Sequence, residues 1–483
     1  MTGGIMDFAQ LINEARKGRP VKTHSGLVEP GDIFVALPGT RFNGARFIPD
    51  ALEKGASWVI ADYSEIDRFP GKKILGHEDP ALALGELARA LYNTDRLKLA
   101  IIGITGTNGK TTTSYLLEHI LQSSGFKTGT IGTVNYRWAD KVIEASMTTP
   151  DCLRLHEMLS LMDKDGVEMV IMEVSSHALA QDRVAGIDFD AGVFTNLSQD
   201  HLDFHEDMQK YFQAKSKLFL SPQRKESFKA VINADDEHGR ILLKSISGAI
   251  SFGFRESGSV KLKGRLLQND RTGITMECLY RDKKWIINSQ LTGRHNGSNL
   301  LAAQGAALSL GLDPEHFVCL EASGQTPGRL EKVENECNLD IYVDYAHTPD
   351  ALKNVCHSLK SLDFDRLIVL FGCGGNRDKS KRPLMGMAVA SLSDVVFLTS
   401  DNPRDEEPID IIEDIRPGLN GCRKLIIEPD RRKAIEMAVN FMKPGDALLV
   451  AGKGHETYQE VKGIKSPFKD VQELKNALNA VLK

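Results

Sequence analysis

The sequence predicts an α/β fold of about three domains, at least two of them carrying mostly parallel sheets. The chain has 483 residues, and compact domains run at roughly 150 residues each. Short runs rich in Val, Ile and Leu alternate with helical patterns from Leu99 and again from Gly324, as expected for strands buried on both faces of a parallel sheet. Between them, residues 250–292 switch to alternating apolar and polar side chains around turns, which predicts a small antiparallel insert.

In chain order, Asp7 to Lys17 reads as a helix and GDIFVALPG (Gly31 to Gly39) as a strand. A short AlaLeuGluLysGly helix, the strand SWVIAD (Ser57 to Asp62) and the helical PALALGELARALYN complete a first α/β unit. From Leu99, KLAIIGITGTNGKTTTSYLLEHIL reads as strand, glycine-rich turn and helix, with further strands at EMVIMEVS, AGVFTNLS and KAVINADD. SVKLKGRLLQ, GITMECLY and KKWIINSQL form the insert. The last unit has strands at DIYVDYAH, RLIVLFGCGG, DVVFLTSDNPR, KLIIEPD and DALLVAGKGHE. The expected domains are 1–98, 99–324 and 325–483.

Composition excludes several function classes. Lys and Arg number 60 against 65 Asp and Glu, a net charge of -5. That balance argues against a nucleic-acid binder. No apolar run reaches about 18 residues, so no membrane span is expected, and the first residues lack the apolar stretch of a secretory signal. Seven scattered Cys form no CxxC pair and read as reduced thiols of a cytoplasmic protein without a zinc site.

The strongest local signal is Gly103-Ile104-Thr105-Gly106-Thr107-Asn108-Gly109-Lys110-Thr111-Thr112, between an apolar strand and a helix. Glycines let backbone N–H groups curl around phosphates, the helix N-terminus favours an anion, and Lys110 reaches the β and γ oxygens. Thr111 offers a hydroxyl to Mg2+. The general pattern wants Gly six residues before the Lys, where this chain has Ile104, so the loop is a variant. ATP or GTP is the expected ligand, and a glycine-rich turn without function the bland alternative. MVIMEVSSH places Glu173 after apolar residues at the carboxyl end of a strand. Ligands bind at that edge in open α/β sheets, and Mg2+ prefers oxygen donors there.

TGTNGKTT, EVSSHAL and NLSQDHLDFH followed by YFQAKSKLF closely resemble the Mur ligases, cytoplasmic ATP-dependent enzymes that build the peptide of peptidoglycan precursors. GRHNGSNLLAA, TPGRLEKV, VDYAHTPDAL, GCGGNRDKSKRPLMG, TSDNPR and AGKGHE continue the resemblance over nearly the whole chain. It implies a three-domain α/β architecture: an N-terminal UDP-sugar-binding domain, a central P-loop ATPase sheet with the antiparallel insert, and a C-terminal Rossmann-like domain that binds the amino acid. The implied reaction phosphorylates a carboxylate of a UDP-N-acetylmuramoyl dipeptide with ATP. An amine of the incoming amino acid then attacks the acyl phosphate.

Residue roles implied by the resemblance follow position by position. His201, after Asp200, becomes a second Mg2+ ligand beside Thr111 and Glu173. Lys215 becomes a carbamylated lysine that helps organise the metal site; read without the family it is a solvated helix lysine. Gly106 to Thr112, Asn296, Arg329 and Asp344 take the nucleotide, with His347 near the phosphates. The UDP end is expected at Thr23, Ser25 and the loop Thr40-Arg41-Phe42. There the family's Asp-Ser-Arg is replaced by His24-Ser25-Gly26. Thr148, Thr149, Ser175, Gln181 and Arg183 of the central domain also face this substrate in the family, although Ser and Thr near turns ordinarily serve as caps.

Three loops of the last domain follow strands at their carboxyl ends, so Arg377, Asp401, Asn402, Arg404 and Glu456 can converge, together with Pro403 and Gly452. Two Arg and acidic groups suit a substrate bearing both carboxylate and ammonium. In the family, Asp-Asn-Pro-Arg marks the members that add meso-diaminopimelate. GCGGNR lacks the last glycine of a dinucleotide fingerprint, where Arg377 stands, which disfavours a dehydrogenase. Alternatives are the same ligation with L-lysine, a folylpolyglutamate synthase-like ligase, and a nucleotide switch that ligates nothing. The expected partners are the UDP-muramoyl dipeptide and meso-diaminopimelate, with no nucleic acid and no membrane, on a monomer.

Overall fold

The computed structural model describes residues 7–39, 43–69, 73–221, 224–256 and 260–481. The three-domain α/β organisation is present, and by compactness the chain falls into two interleaved units. The first comprises 1–105, 124–193 and 209–230; the second comprises 106–123, 194–208 and 231–483.

The first unit opens with four parallel strands in the order β1 (Val21–Lys22), β2 (Ile33–Val35), β3 (Trp58–Asp62) and β4 (Ile74–His77). Helix Phe8–Arg16 starts at a capping box in which Asp7 and Gln10 satisfy each other's backbone N–H. Asp79 caps helix Pro80–Leu91, whose first position holds Pro80. Leu11, Ile33, Val35, Ile60, Leu84 and Leu87 form the core between them. The GDIFVALPG strand is shorter than expected because Pro38 brings no N–H to a ladder.

The same unit holds β5 (Ala100–Thr105), β6 (Thr128–Ile131), β7 (Asn135–Trp138), β8 (Lys141–Glu144), β9 (Met169–Glu173) and β10 (Ala191–Phe194), in the order β10-β5-β9-β6-β7-β8. β5, β9 and β6 are parallel, whereas β6-β7-β8 is an antiparallel meander. Glu173 ends β9 in register with Ile104 of β5, beside the strand that leads into the phosphate loop.

In the second unit β11 (Lys229–Asn233), which enters it at Val231, runs parallel to β12 (Ile250–Gly253), and β12 to β13 (Leu262–Asp270). β13, β14 (Gly273–Tyr280) and β15 (Lys283–Ser289) form the antiparallel insert. Helix Lys110–Ser123 packs on helix Arg294–Ser309. The last sheet runs β16 (Glu331–Lys332), β17 (Asp340–Asp344), β21 (Asp446–Ala451), β18 (Arg366–Phe371), β19 (Val395–Leu398), β20 (Leu425–Ile427), and all its pairs but β16-β17 are parallel. Alternate residues of β18 enter opposite cores. Leu367, Val369 and Phe371 meet helices Pro349–Lys360, Lys381–Ala390 and Pro408–Ile415, while Ile368 and Leu370 meet helices Arg431–Phe441 and Asp470–Val481. A sheet buried on both faces reads as a continuous apolar run, which is why these strands were legible. A hairpin, β22 (Tyr458–Val461) and β23 (Ile464–Pro467), follows β21.

Candidate active site

The phosphate loop of the second unit is built around two glycines. Gly106 (φ +149°) and Gly109 (φ +86°) hold backbone angles that side-chain-bearing residues rarely adopt. A Cβ on the first would strike Thr195 Oγ1, and one on the second Asn299 Oδ1. The loop is then laced to the segment after β10. Thr107 N donates to Asn196 O (2.9 Å), Asn108 N to Asn196 Oδ1 (2.9 Å), and Thr195 Oγ1 to Asn108 O (2.6 Å). Lys110 Nζ folds over the loop and donates to the carbonyls of Gly106 and Thr107 at 2.8 and 2.9 Å. Thr111 and Thr112 are buried in the first turn of the helix.

Residues distant in sequence close around this loop, all within the same unit. Arg329 donates to Thr111 Oγ1 (3.2 Å), and its guanidinium lies 4.6 Å from the Tyr345 ring centroid. Asp350 accepts from Asn108 Nδ2 (3.2 Å). Asn296 Oδ1 accepts from Asn299 Nδ2 (3.1 Å), so it reaches the loop through Asn299. Asp344 accepts the backbone N–H groups of Leu330 and Ala346 (2.6 and 2.7 Å). Burial raises its pKa, against the pull of Arg329. His347 packs edge-on against Tyr345.

His201 sits in the left-handed region (φ +53°) with Nε2 3.3 Å from Asp200 Oδ2, and Lys381 Nζ lies 3.0 Å from the other oxygen. Burial works against the Asp200 carboxylate, but His201, His347 and Lys381 outweigh it and hold its pKa near 2.

The amino-acid loops also converge in this unit. Asn402 Nδ2 donates to Glu456 Oε2 (2.8 Å), and the buried Asp401 stands against Gly452. Arg404, at φ +52°, donates to Gly375 O (2.8 Å) and lies 3.6 Å from Glu460. Pro403 packs on Gly375. Arg377 is exposed and its charge is felt at Tyr345. Sequence reasoning missed three residues here: Tyr345, Lys381 and Lys453. Tyr345 links the two halves, touching Arg329, His347 and His455. Its signal was an aromatic directly after a parallel strand at the ligand-binding edge.

Within the first unit, Glu173 is 1% exposed and accepts from Thr133 N and Oγ1 (3.0 and 2.8 Å). Thr133 Oγ1 also meets Thr148 (3.1 Å). Thr149 Oγ1 donates to Glu173 O and accepts from Ser175 N, and Arg183 joins Thr149 O to Gln181 Oε1. Thr148, Thr149, Glu173, Ser175, Gln181 and Arg183 thus form one group. Ser175 also caps its helix, so the ordinary role holds too. Lys215 corrects the residue-only reading: it is not solvated but 1% exposed, its Nζ 4.7 Å from the Tyr211 ring centroid. Ser25 is buried and Thr23 exposed. Thr40, Arg41 and Phe42 lie outside the described residues. Among the described residues no three His, Cys, Asp or Glu gather as a metal cluster, and no helix is long and apolar enough to cross a membrane.

Three family models match the chain: the Mur ligase middle domain at 104–307, the Mur ligase glutamate ligase domain at 328–454, and the Mur ligase family catalytic domain at 20–92. The UDP-N-acetylmuramoyl-L-alanyl-D-glutamate–2,6-diaminopimelate ligase of Lawsonia intracellularis is 50% identical over 457 residues, covering 94% of this chain and 95% of its own. A solved structure of a ligase with that name superposes with a TM-score of 0.69 at 33% identity, over 96% of this chain and 95% of its own. The Mycobacterium tuberculosis folylpolyglutamate synthase complexed with ADP shares the fold at 17% identity, with a TM-score of 0.64 over 78% of this chain and 92% of its own.

Proposed function

The chain belongs to the Mur ligase family, and from that premise we propose how its residues join meso-2,6-diaminopimelate to UDP-N-acetylmuramoyl-L-alanyl-D-glutamate. It is an ATP-dependent ligase of peptidoglycan precursor synthesis. The supporting observation is the pairing of two loops at the carboxyl edge of the last sheet. Asn402 meets Glu456 there, beside Arg404, and Tyr345 connects this pair to the nucleotide residues. An arginine fork suits a second substrate carboxylate, and an acidic group its ammonium.

A carboxylate is a poor electrophile, and phosphorylation gives it a leaving group. Two anions meet in that step, and positive groups must offset their repulsion. Lys110, the loop N–H groups and Arg329 supply charge from this chain. Attack by the amine on the acyl phosphate gives a tetrahedral intermediate; the amine loses a proton and inorganic phosphate leaves. We assign His347, which packs on Tyr345, to the phosphate end of the nucleotide. For Mg2+, Thr111 Oγ1 and the His201 imidazole are donors of the right kind in the second unit, and the Glu173 carboxylate is one in the first. Lys215 suits a cation only as the carbamate, since an ammonium repels it. When bound, the metal offsets phosphate charge.

We assign the UDP-muramoyl dipeptide to Thr23, Ser25 and the group Thr148, Thr149, Ser175, Gln181 and Arg183. The domains are 1–98, 99–324 and 325–483, a division supported by where the three family models fall. The protein acts as a cytoplasmic monomer. The test is phosphate release with UDP-muramoyl dipeptide and each amino acid in turn. Release that requires both the dipeptide and meso-diaminopimelate is expected. Preference for L-lysine would overturn the amino-acid assignment, and release without the dipeptide would overturn the ligase reading.

A further inference from the structure

A lysine of the second unit is wholly buried and has no part in the mechanism above. Lys453 is 0% exposed, between Gly452 (φ +112°) and Gly454 (φ +52°) in the loop after β21. A Cβ on Gly452 would strike Asp401, and one on Gly454 would strike Tyr345 and Gly328. The two glycines therefore let the loop press against those residues and turn the intervening side chain inward. Inside, Nζ lies 3.0 Å from Asn402 Oδ1 and 2.9 Å from Glu456 Oε2. Burying an ammonium costs several kcal/mol unless it is paired, and an apolar residue would fill the space at lower cost.

The network fixes the direction of both partners. Asn402 Oδ1 accepts from Lys453 Nζ and from Glu460 N (3.0 Å), which fills both of its lone pairs. The amide cannot flip, because its NH2 would then face an ammonium and a backbone N–H. Its Nδ2 gives one hydrogen to Glu456 Oε2. That oxygen already takes Lys453, so the second amide hydrogen and Glu456 Oε1 remain to meet a substrate. A donor beside a carboxylate oxygen complements a carbon that bears both carboxylate and ammonium.

We propose that Lys453 is a positioning residue: it holds Asn402 and Glu456 in the one orientation that binds the amino-acid head group at the far end of diaminopimelate. The inference rests on the reading that these loops hold that substrate. Its test is steady-state phosphate release by Lys453→Met, varying each substrate in turn. The KM for diaminopimelate should rise roughly tenfold to a hundredfold, as when one partner of a buried charged network is removed. The KM values for ATP and dipeptide should stay within about twofold, and kcat at saturating diaminopimelate should hold, because binding and not chemistry is lost. In an Asn402→Ala background the same change should raise that KM by clearly less, since Lys453 acts through Asn402. If Lys453→Met does not fold, as judged by circular dichroism, Lys453→Gln is measured by the same criteria. An unchanged KM for diaminopimelate, a parallel rise in all three, or full additivity with Asn402→Ala would overturn the proposal. A wild-type enzyme that does not respond to diaminopimelate would instead overturn the substrate reading, and that is seen before any variant is made.

Discussion

Gly109→Ala is expected to disable the nucleotide site. At φ +86° any side chain carries a strain of about 1 kcal/mol. The added methyl would also press into Asn299 Oδ1 and stand 3.3 Å from Asn299 Cγ. Asn299 cannot swing away freely, because its Nδ2 holds Asn296. Overpacking of this kind costs about 1–3 kcal/mol. The sum, about 2–4 kcal/mol, corresponds to a loss of ATP affinity on the order of 30- to 1000-fold. Calorimetric titration with ATP measures it directly. Gly125→Ala is the matched control: its φ is +90° with nothing within 4 Å of the added methyl, so it carries the strain without the collision. It should leave ATP affinity within about twofold. Adding Asn299→Ala to Gly109→Ala should recover the packing part and leave only the strain. Gly109→Ala binding ATP as tightly as wild type, or no recovery in the double variant, would refute this account of the loop.

Lys215→Ala should be nearly inactive and regain part of its activity with short carboxylic acids, assayed by phosphate release; an unaffected variant would remove Lys215 from the site. Arg404→Met should lose about 2–3 kcal/mol of diaminopimelate binding, a central figure for one partner of a charge-assisted pair. Lysine has no carboxylate to lose there, so the ratio of catalytic efficiencies for the two amino acids should fall toward unity. The last prediction concerns acid. Glu406, held at 2.8 Å by the buried Arg382, with Lys379 nearby, has its pKa lowered to about 2 from 4.5, chiefly by the Arg382 hydrogen bonds. A depressed carboxylate stabilises the fold above its unfolded pKa and loses that contribution as the pH falls through the folded one. About 1–2 kcal/mol, after solvent screening, should therefore disappear between pH 4.5 and 2. Glu406→Gln should flatten the denaturation midpoint over that window.

The phosphate loop, most of the parallel strands and the three-stranded insert were legible because each has a local signature: glycines before a Lys, continuous apolar runs, and two-residue alternation. β7 and β8 were not. Lys141–Glu144 is mostly exposed, and its place is set by pairing with β7 rather than by its own composition. Strand β4 was missed for a similar reason, since its four residues are all half-buried and carry no alternation. In the site, charged residues at strand ends could be named from sequence, but burial could not. Lys215 and Lys453 look like ordinary surface lysines in a one-dimensional reading; only the tertiary environment of Tyr211, or of Asn402 and Glu456, distinguishes them.

The phosphate loop also carries a consequence for how the chain is made. Its binding partners Arg329 and Asp350 lie 218 and 242 residues beyond the loop atoms they meet. During synthesis the strand, the turn and the helix of the loop emerge early and Thr195 and Asn196 lace it next, yet Arg329 and Asp350 arrive only when more than two-thirds of these 483 residues have been made. Contacts this distant in sequence close late and slowly. A nascent chain therefore holds a loop that lacks its Arg329 and Asp350 contacts over the 218 and 242 residues that separate them from it, and completion of the nucleotide site waits on the last domain.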